Sequence, residues 1–195
     1  MRLINRVKNL LLSPKTEWEV ISGESLSGMP LIFSYLLPLA IAAALATFLG
    51  FALWAGPFFG MHYGILSAII LLIELVAGIY INALVTDALA PSFASQKNLD
   101  RSIQLVVYAA TPFYIGSLLN LIPSIGWLGS LAGMIYSVYL FYLGIPVLKK
   151  TPADKVPIYL IAIVLALIVI GWILQTILVK LFLVSYAEGA LRLIN

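Results

Sequence analysis

Long stretches without charge alternate with short charged segments along this chain, and the stretches are long enough to count helices. Residues 25–73 carry no Asp, Glu, Lys or Arg, a run of 49; residues 102–148 give a run of 47 and residues 156–179 a run of 24. A helix rising about 1.5 Å per residue needs about 20 residues to cross roughly 30 Å of hydrocarbon. The shortest run therefore fits one crossing, and each longer run fits two with a tight turn between them. The turns read Ala55-Gly56-Pro57-Phe58-Phe59-Gly60 and Ile122-Pro123-Ser124-Ile125-Gly126, where Gly and Pro punctuate the pattern. The pattern predicts five transmembrane helices, near 31–54, 63–86, 103–121, 126–148 and 157–183. Pro112 falls inside the third, and neighbouring helices are expected to satisfy the carbonyl it leaves free.

Composition turns that pattern into a class. The 195 residues are 63% hydrophobic and only 10% charged, with a mean hydropathy of +1.09. Soluble domains carry about a quarter charged residues, and a soluble globule of this size would need a largely apolar surface. An all-α integral membrane protein follows, with the lipid bilayer as its first partner. A soluble enzyme, a disordered tail and a nucleic-acid-binding domain are excluded. The chain has no cysteine, so no disulfide or thiolate chemistry is available. One histidine, His62, cannot make a multi-histidine zinc site. No phosphate-binding loop or paired-carboxylate motif occurs, so no catalytic, cofactor-binding or metal site is expected.

Charge placement gives orientation and a first segment. The stretches 1–29, 87–102 and 149–156 hold nine of the eleven Lys and Arg residues. The positive-inside rule then puts the N-terminus and those loops in the cytoplasm, and five crossings put the C-terminus outside. Residues 1–29 read as a cytoplasmic interfacial segment ahead of a five-helix domain over 30–195. Within that segment Leu3, Ile4, Val7, Leu10 and Leu11 recur at helical spacing, with Arg2, Arg6 and Lys8 between them. This predicts a short cationic amphipathic helix lying on an anionic membrane surface. Ser13 and Pro14 read as the cap and first turn of a second helix, whose Trp18 and Ile21 are expected at the headgroups.

Few polar residues interrupt the spans, so each is a candidate. Glu74 lies in the second span, where a carboxylate is a functional-site hypothesis by default. Ser67, Gly78 and Asn82 share its helical face. Thr111, Tyr136 and Gln175 fall at similar depth in other spans and are candidate hydrogen-bond partners. Two readings are open: a proton or cation site, or an uncharged Glu74 bonded to Tyr136 or Gln175 that locks helices together. The second is preferred, because no other carboxylate falls at that depth. Gly129, Gly133 and Ser137 form a ladder of small residues on the fourth span, suited to close helix packing within one subunit or to a homo-oligomer seam.

Several motifs carry a resemblance. The leader reads Arg6-Val7-Lys8-Asn9-Leu10-Leu11-Leu12-Ser13-Pro14-Lys15-Thr16-Glu17-Trp18-Glu19-Val20-Ile21, followed by Glu24. The middle has Tyr108-Ala109-Ala110-Thr111-Pro112, and the fourth span ends Tyr139-Leu140-Phe141-Tyr142-Leu143-Gly144-Ile145-Pro146-Val147-Leu148. In this order the chain resembles the Yip-domain family, in its prokaryotic branch. The resemblance implies a five-pass helical protein with a cytosolic N-terminus, here in a prokaryotic cytoplasmic (inner) membrane. Eukaryotic relatives are linked to Rab-type GTPases and vesicle traffic. Their longer polar N-terminal region has no counterpart in this sequence, so a GTPase partner is not carried over. The expected function is a non-enzymatic scaffold or adaptor in membrane organisation or trafficking, with protein partners or further copies of itself. A small channel or proton-coupled transporter working through Glu74 is the alternative.

Overall fold

The computed structural model describes residues 3–24, 28–56 and 59–184. Arg2, Pro57, Phe58 and Arg192, which entered the charge count or the first turn, lie outside the described residues. Two short helices lead, α1 (Leu3–Leu12) and α2 (Pro14–Ser22). Five helices long and apolar enough to cross a membrane follow: α3 (Gly28–Trp54), α4 (Gly60–Phe93), α5 (Leu99–Leu121), α6 (Pro123–Lys149) and α7 (Val156–Val184). Among the described residues there is no strand. Every expected span is present with its ends shifted by a few residues. The largest shift is in α4, which runs on past residue 86 into a 3-10 turn over Ala90–Phe93.

Small residues set the distances between helices. A Cβ at Gly129 would collide with the Gly116 carbonyl of α5, and one at Gly133 with the Pro112 carbonyl. Gly50 of α3 sits as tightly on the Asn120 carbonyl, and Gly64 of α4 would bring a Cβ to 2.8 Å from the Phe48 carbonyl. Such residues let backbones approach where lipid gives no hydrophobic drive for helix association. Gly129 and Gly133 of the fourth-span ladder thus pack on α5 within the subunit.

α5 is the central helix and it is broken. Its α-helical part Leu99–Ala109 gives way at Ala110 to a second segment, Thr111–Gly116, and then to a 3-10 turn over Ser117–Leu121. Pro112 cannot donate to the carbonyl four residues back, which is that of Tyr108. The structure fills this vacancy from within: Thr111 Oγ1 donates to the Tyr108 carbonyl at 2.7 Å. A neighbouring helix was the expected donor; the adjacent threonine reaches first.

The leader departs from its expected pose. α1 and α2 form a helical hairpin that stands beside the bundle. Its tip is held by Tyr136 of α6, whose hydroxyl donates to the Leu11 carbonyl at 2.9 Å. Further along, Trp18 packs on Gly144, where a Cβ would come within 2.8 Å of the indole. Trp18 and Ile21 are fully buried in protein and do not serve as headgroup anchors. Arg6 also points inward, which corrects the expectation of a headgroup-facing cation at that position, whereas Lys8 stays exposed. Arg6 pairs with Glu17 and Glu24 and lies over the Tyr108 ring at 5.3 Å. The pairing explains the inversion, because a buried cation is tolerated only with partners. Ser13 makes no side-chain cap, although Pro14 does open α2.

Candidate functional site

Glu74 opens a π-helical turn, Glu74–Gly78, within α4. Such a turn adds one residue to the helical circuit and commonly marks a functional position. Opposite, Gln175 of α7 presents its carboxamide to the carboxyl. With its nitrogen turned toward Glu74 it donates to Oε2 at 3.1 Å and also meets Oε1. Gly78, one turn on, faces α7, with Leu174 Cδ1 at an ordinary contact distance of 3.5 Å from where a Cβ would stand.

A cavity of about 540 Å³ extends from this pair between α4, α6 and α7. Its walls are mostly apolar, but Asn82 and Ser137 contribute to them alongside Glu74 and Gln175. A second cavity of about 180 Å³, lined by Thr47, Ser67 and Asn120, also reaches Glu74 and Gln175. The Glu74–Gln175 pair thus borders both spaces.

The candidates therefore divide. Glu74, Asn82, Gln175 and, from the packing ladder, Ser137 gather around one cavity. Thr111 and Tyr136 do not join Glu74. Thr111 is committed to α5 and to Tyr35 of α3, whose hydroxyl lies 2.8 Å from Thr111 Oγ1. Since Thr111 spends its proton on the Tyr108 carbonyl, Tyr35 is the donor of that bond. Tyr136 is committed to the hairpin through Leu11. Both share Glu74's approximate depth, but they face other neighbours.

Two polar clusters were missed by the sequence reading. One fastens the hairpin. Asn9 Nδ2 donates to Glu17 at 2.9 Å, beside the Arg6 pairs. Burial works to lower the pKa of the Arg6 guanidinium. The Glu24 hydrogen bond and the nearby Tyr108, Glu24 and Glu17 outweigh this and hold it above its ordinary value. Arg101 of α5 closes the far end of α2 by donating to the carbonyls of Ser22 at 3.0 Å and Glu24 at 3.1 Å. Unpaired carbonyls at a helix end favour such a cation. A signal existed: Arg6 falls at the spacing of the apolar stripe Leu3, Val7, Leu10.

The other cluster ties the end of α4 and the start of α5 to the end of α6. Lys149, with no exposed surface, donates to Asp87 Oδ1 at 2.9 Å, to Ser102 Oγ at 2.6 Å and to the Asn98 carbonyl at 3.2 Å. Asp87 Oδ1 also accepts from the Asn98 amide at 2.7 Å and from Ser102 Oγ at 3.1 Å. Lys149 was counted as a topogenic loop charge, and its pairing with a residue 62 positions away left no local trace.

Five apolar crossings, glycine-spaced contacts and an intramembrane polar cluster define a multi-pass helical membrane protein. Within that class the chain belongs to the Yip1-domain family, whose model matches residues 8–174. No curated protein and no solved structure matches it. The matched stretch takes in the second half of α1, all of α2 and every span, with α7 entered up to one residue short of Gln175.

Proposed function

We propose that the protein is a non-enzymatic scaffold that organises membrane, and that the docked hairpin is its working part. The reading keeps the N-terminal segment on the cytoplasmic side of a prokaryotic cytoplasmic membrane and the C-terminus outside. Lys97, Arg101, Lys150 and Lys155 support that orientation under the positive-inside rule. Arg6 and Lys149, neutralised in buried pairs, contribute less than their number suggests.

The observation that carries the reading is where the hairpin stands. Tyr136 and Lys149 are 13 residues apart, roughly 20 Å along α6 at helical rise. The hairpin contacts that half of α6, at Tyr136 and at Gly144. Among the described residues, two helices are thereby added to the cross-section at the Lys149 end and none at the Pro123 end. Exposed Ile4, Leu12 and Val20 put apolar side chains on the hairpin's outer surface among the polar Asn5, Lys8, Lys15, Thr16 and Glu19, and Lys8 and Lys15 have stems long enough to carry their charges to the headgroups. A rigid wedge in one leaflet spreads the lipids of that leaflet and favours curvature. Electron cryomicroscopy of proteoliposomes tests this. Vesicles should shrink or tubulate as the protein-to-lipid ratio rises. Gly144→Leu, which displaces Trp18, should return them toward the protein-free diameter. Wild-type vesicles of protein-free size at every ratio would contradict the wedge.

The two cavities meeting at Glu74 and Gln175 favour a second reading, a proton-coupled path. Its signature is proton flux into dye-loaded liposomes that Glu74→Gln abolishes. Flux absent from the wild type removes it.

A further inference from the structure

We propose that the cavity between α4, α6 and α7 binds an uncharged lipophile whose head carries a hydroxyl or carbonyl oxygen, a molecule of the prenyl alcohol or quinone kind. At about 540 Å³ it falls within the ~300–1,000 Å³ of small-molecule sites. Its mouth opens sideways, framed by Ile135, Ile168 and Trp172, which are all exposed on the outer face of the bundle. Entry is therefore from the hydrocarbon, and the ligand must be soluble there.

The walls say what its head must be. Ser137 is more than nine-tenths buried, lines the cavity, and its Oγ has no hydrogen-bond partner. A buried hydroxyl without a partner is costly, and hydrocarbon offers none. Asn82 and the Glu74–Gln175 pair supply further acceptors and donors on the α4 side. Glu74 and Asn82 are eight residues apart, so these groups span roughly 12 Å of the cavity. A bare acyl chain satisfies none of them, and a charged phospholipid headgroup is excluded at this depth by its own desolvation. A neutral oxygen-bearing head meets both demands: Ser137 and Asn82 donate to its oxygens, and Glu74 accepts from a hydroxyl. Its apolar tail fills the space along Phe141 toward Trp172.

Trp172 makes the binding visible. The test uses the full chain in nanodiscs, with decyl-benzoquinone as quencher and farnesol as competitor. Saturable quenching is expected in the wild type, and its saturable part should be lost in Trp172→Phe. Displacement of the quinone by farnesol supports a site for either oxygen. Saturable quenching that farnesol leaves untouched supports a carbonyl-selective site. Ser137→Ala and Glu74→Leu should each weaken binding roughly three- to tenfold, the worth of one hydrogen bond. Gly171→Leu should abolish binding without harming the fold, because Gly171 lines the cavity and a Cβ there meets nothing within 4 Å. Quenching that rises linearly with quinone and is unchanged in Ser137→Ala and Gly171→Leu would be simple partitioning into lipid, and overturns the proposal.

Discussion

α5 and α7 both cross the membrane, yet they are built on opposite terms. Of the most apolar 18-residue stretch of α5, 67% is buried against protein; for α7 the share is 17%. α5 is the least apolar of the five spans and α7 the most. In water the greasiest helix would be the core. Here the solvent is hydrocarbon, so an apolar helix loses nothing by facing outward. What needs covering is the polar residue, and α5 carries many: Ser102, Gln104, Thr111 and Ser117 are all buried. Thr111 bonds α5 to Tyr35 of α3, and Ser102 bonds it to Asp87 of α4 and Lys149 of α6, whereas α7 turns Ile161, Leu165, Ile168 and Trp172 to lipid.

That contrast predicts a graded series of stability changes, measurable by denaturant unfolding in bicelles. The largest falls where α5 meets the end of α6. Asp87→Ala leaves the Lys149 ammonium buried without its carboxylate and should cost about 3–5 kcal/mol. Adding Lys149→Met to that variant should restore much of the loss, because no uncompensated charge remains. A double variant no more stable than the single one would show that the pair is not what holds the loop.

Gly133→Leu comes next. It forces a side chain into the Pro112 carbonyl and should cost about 1–3 kcal/mol or more, as overpacking does. Smaller again is the link that α7 makes through Gln175. Glu74→Leu should cost on the order of 1 kcal/mol and Glu74→Gln much less, in keeping with the modest worth of interhelical hydrogen bonds. A large loss for Glu74→Gln would make α7 as deeply committed as α5 and would break the comparison. Gly171→Leu on α7 should change stability by less than about 0.5 kcal/mol, as substitutions away from tight contacts do.

Which parts were legible follows from the same physics. Span number is a one-dimensional property, read from the spacing of charges, and all five crossings follow from it. The proline break in α5 and the close approach at Gly129 and Gly133 are also local signals. Glu74 stands out in the same way, as one of few polar groups at that depth, although Tyr136 and Gln175 both remained open as its partner. Partner choice for Tyr136 and Thr111 was not legible. Depth can be estimated along a helix, but rotation about its axis depends on neighbours, and the π-helical turns at Ile32–Leu36 and Glu74–Gly78 shift that rotation. The inward turn of Arg6 escaped for a related reason. A cation in an apolar stripe reads as a surface feature until its carboxylates, Glu17 and Glu24, are folded back onto it.

The hairpin is proposed to enter the bilayer beside α6. The chain has no cysteine, so a single spin label can be placed at Leu12, an exposed residue at the hairpin tip. Its accessibility to oxygen, which concentrates in hydrocarbon, is compared with its accessibility to a water-soluble nickel chelate. Labels at Ile135, exposed beside Tyr136 on α6, and at Lys97, exposed in the loop before α5, give the two references. The account predicts that Leu12 behaves as Ile135 does, rich in oxygen and shielded from nickel. A Leu12 label that meets nickel as freely as Lys97 would contradict it.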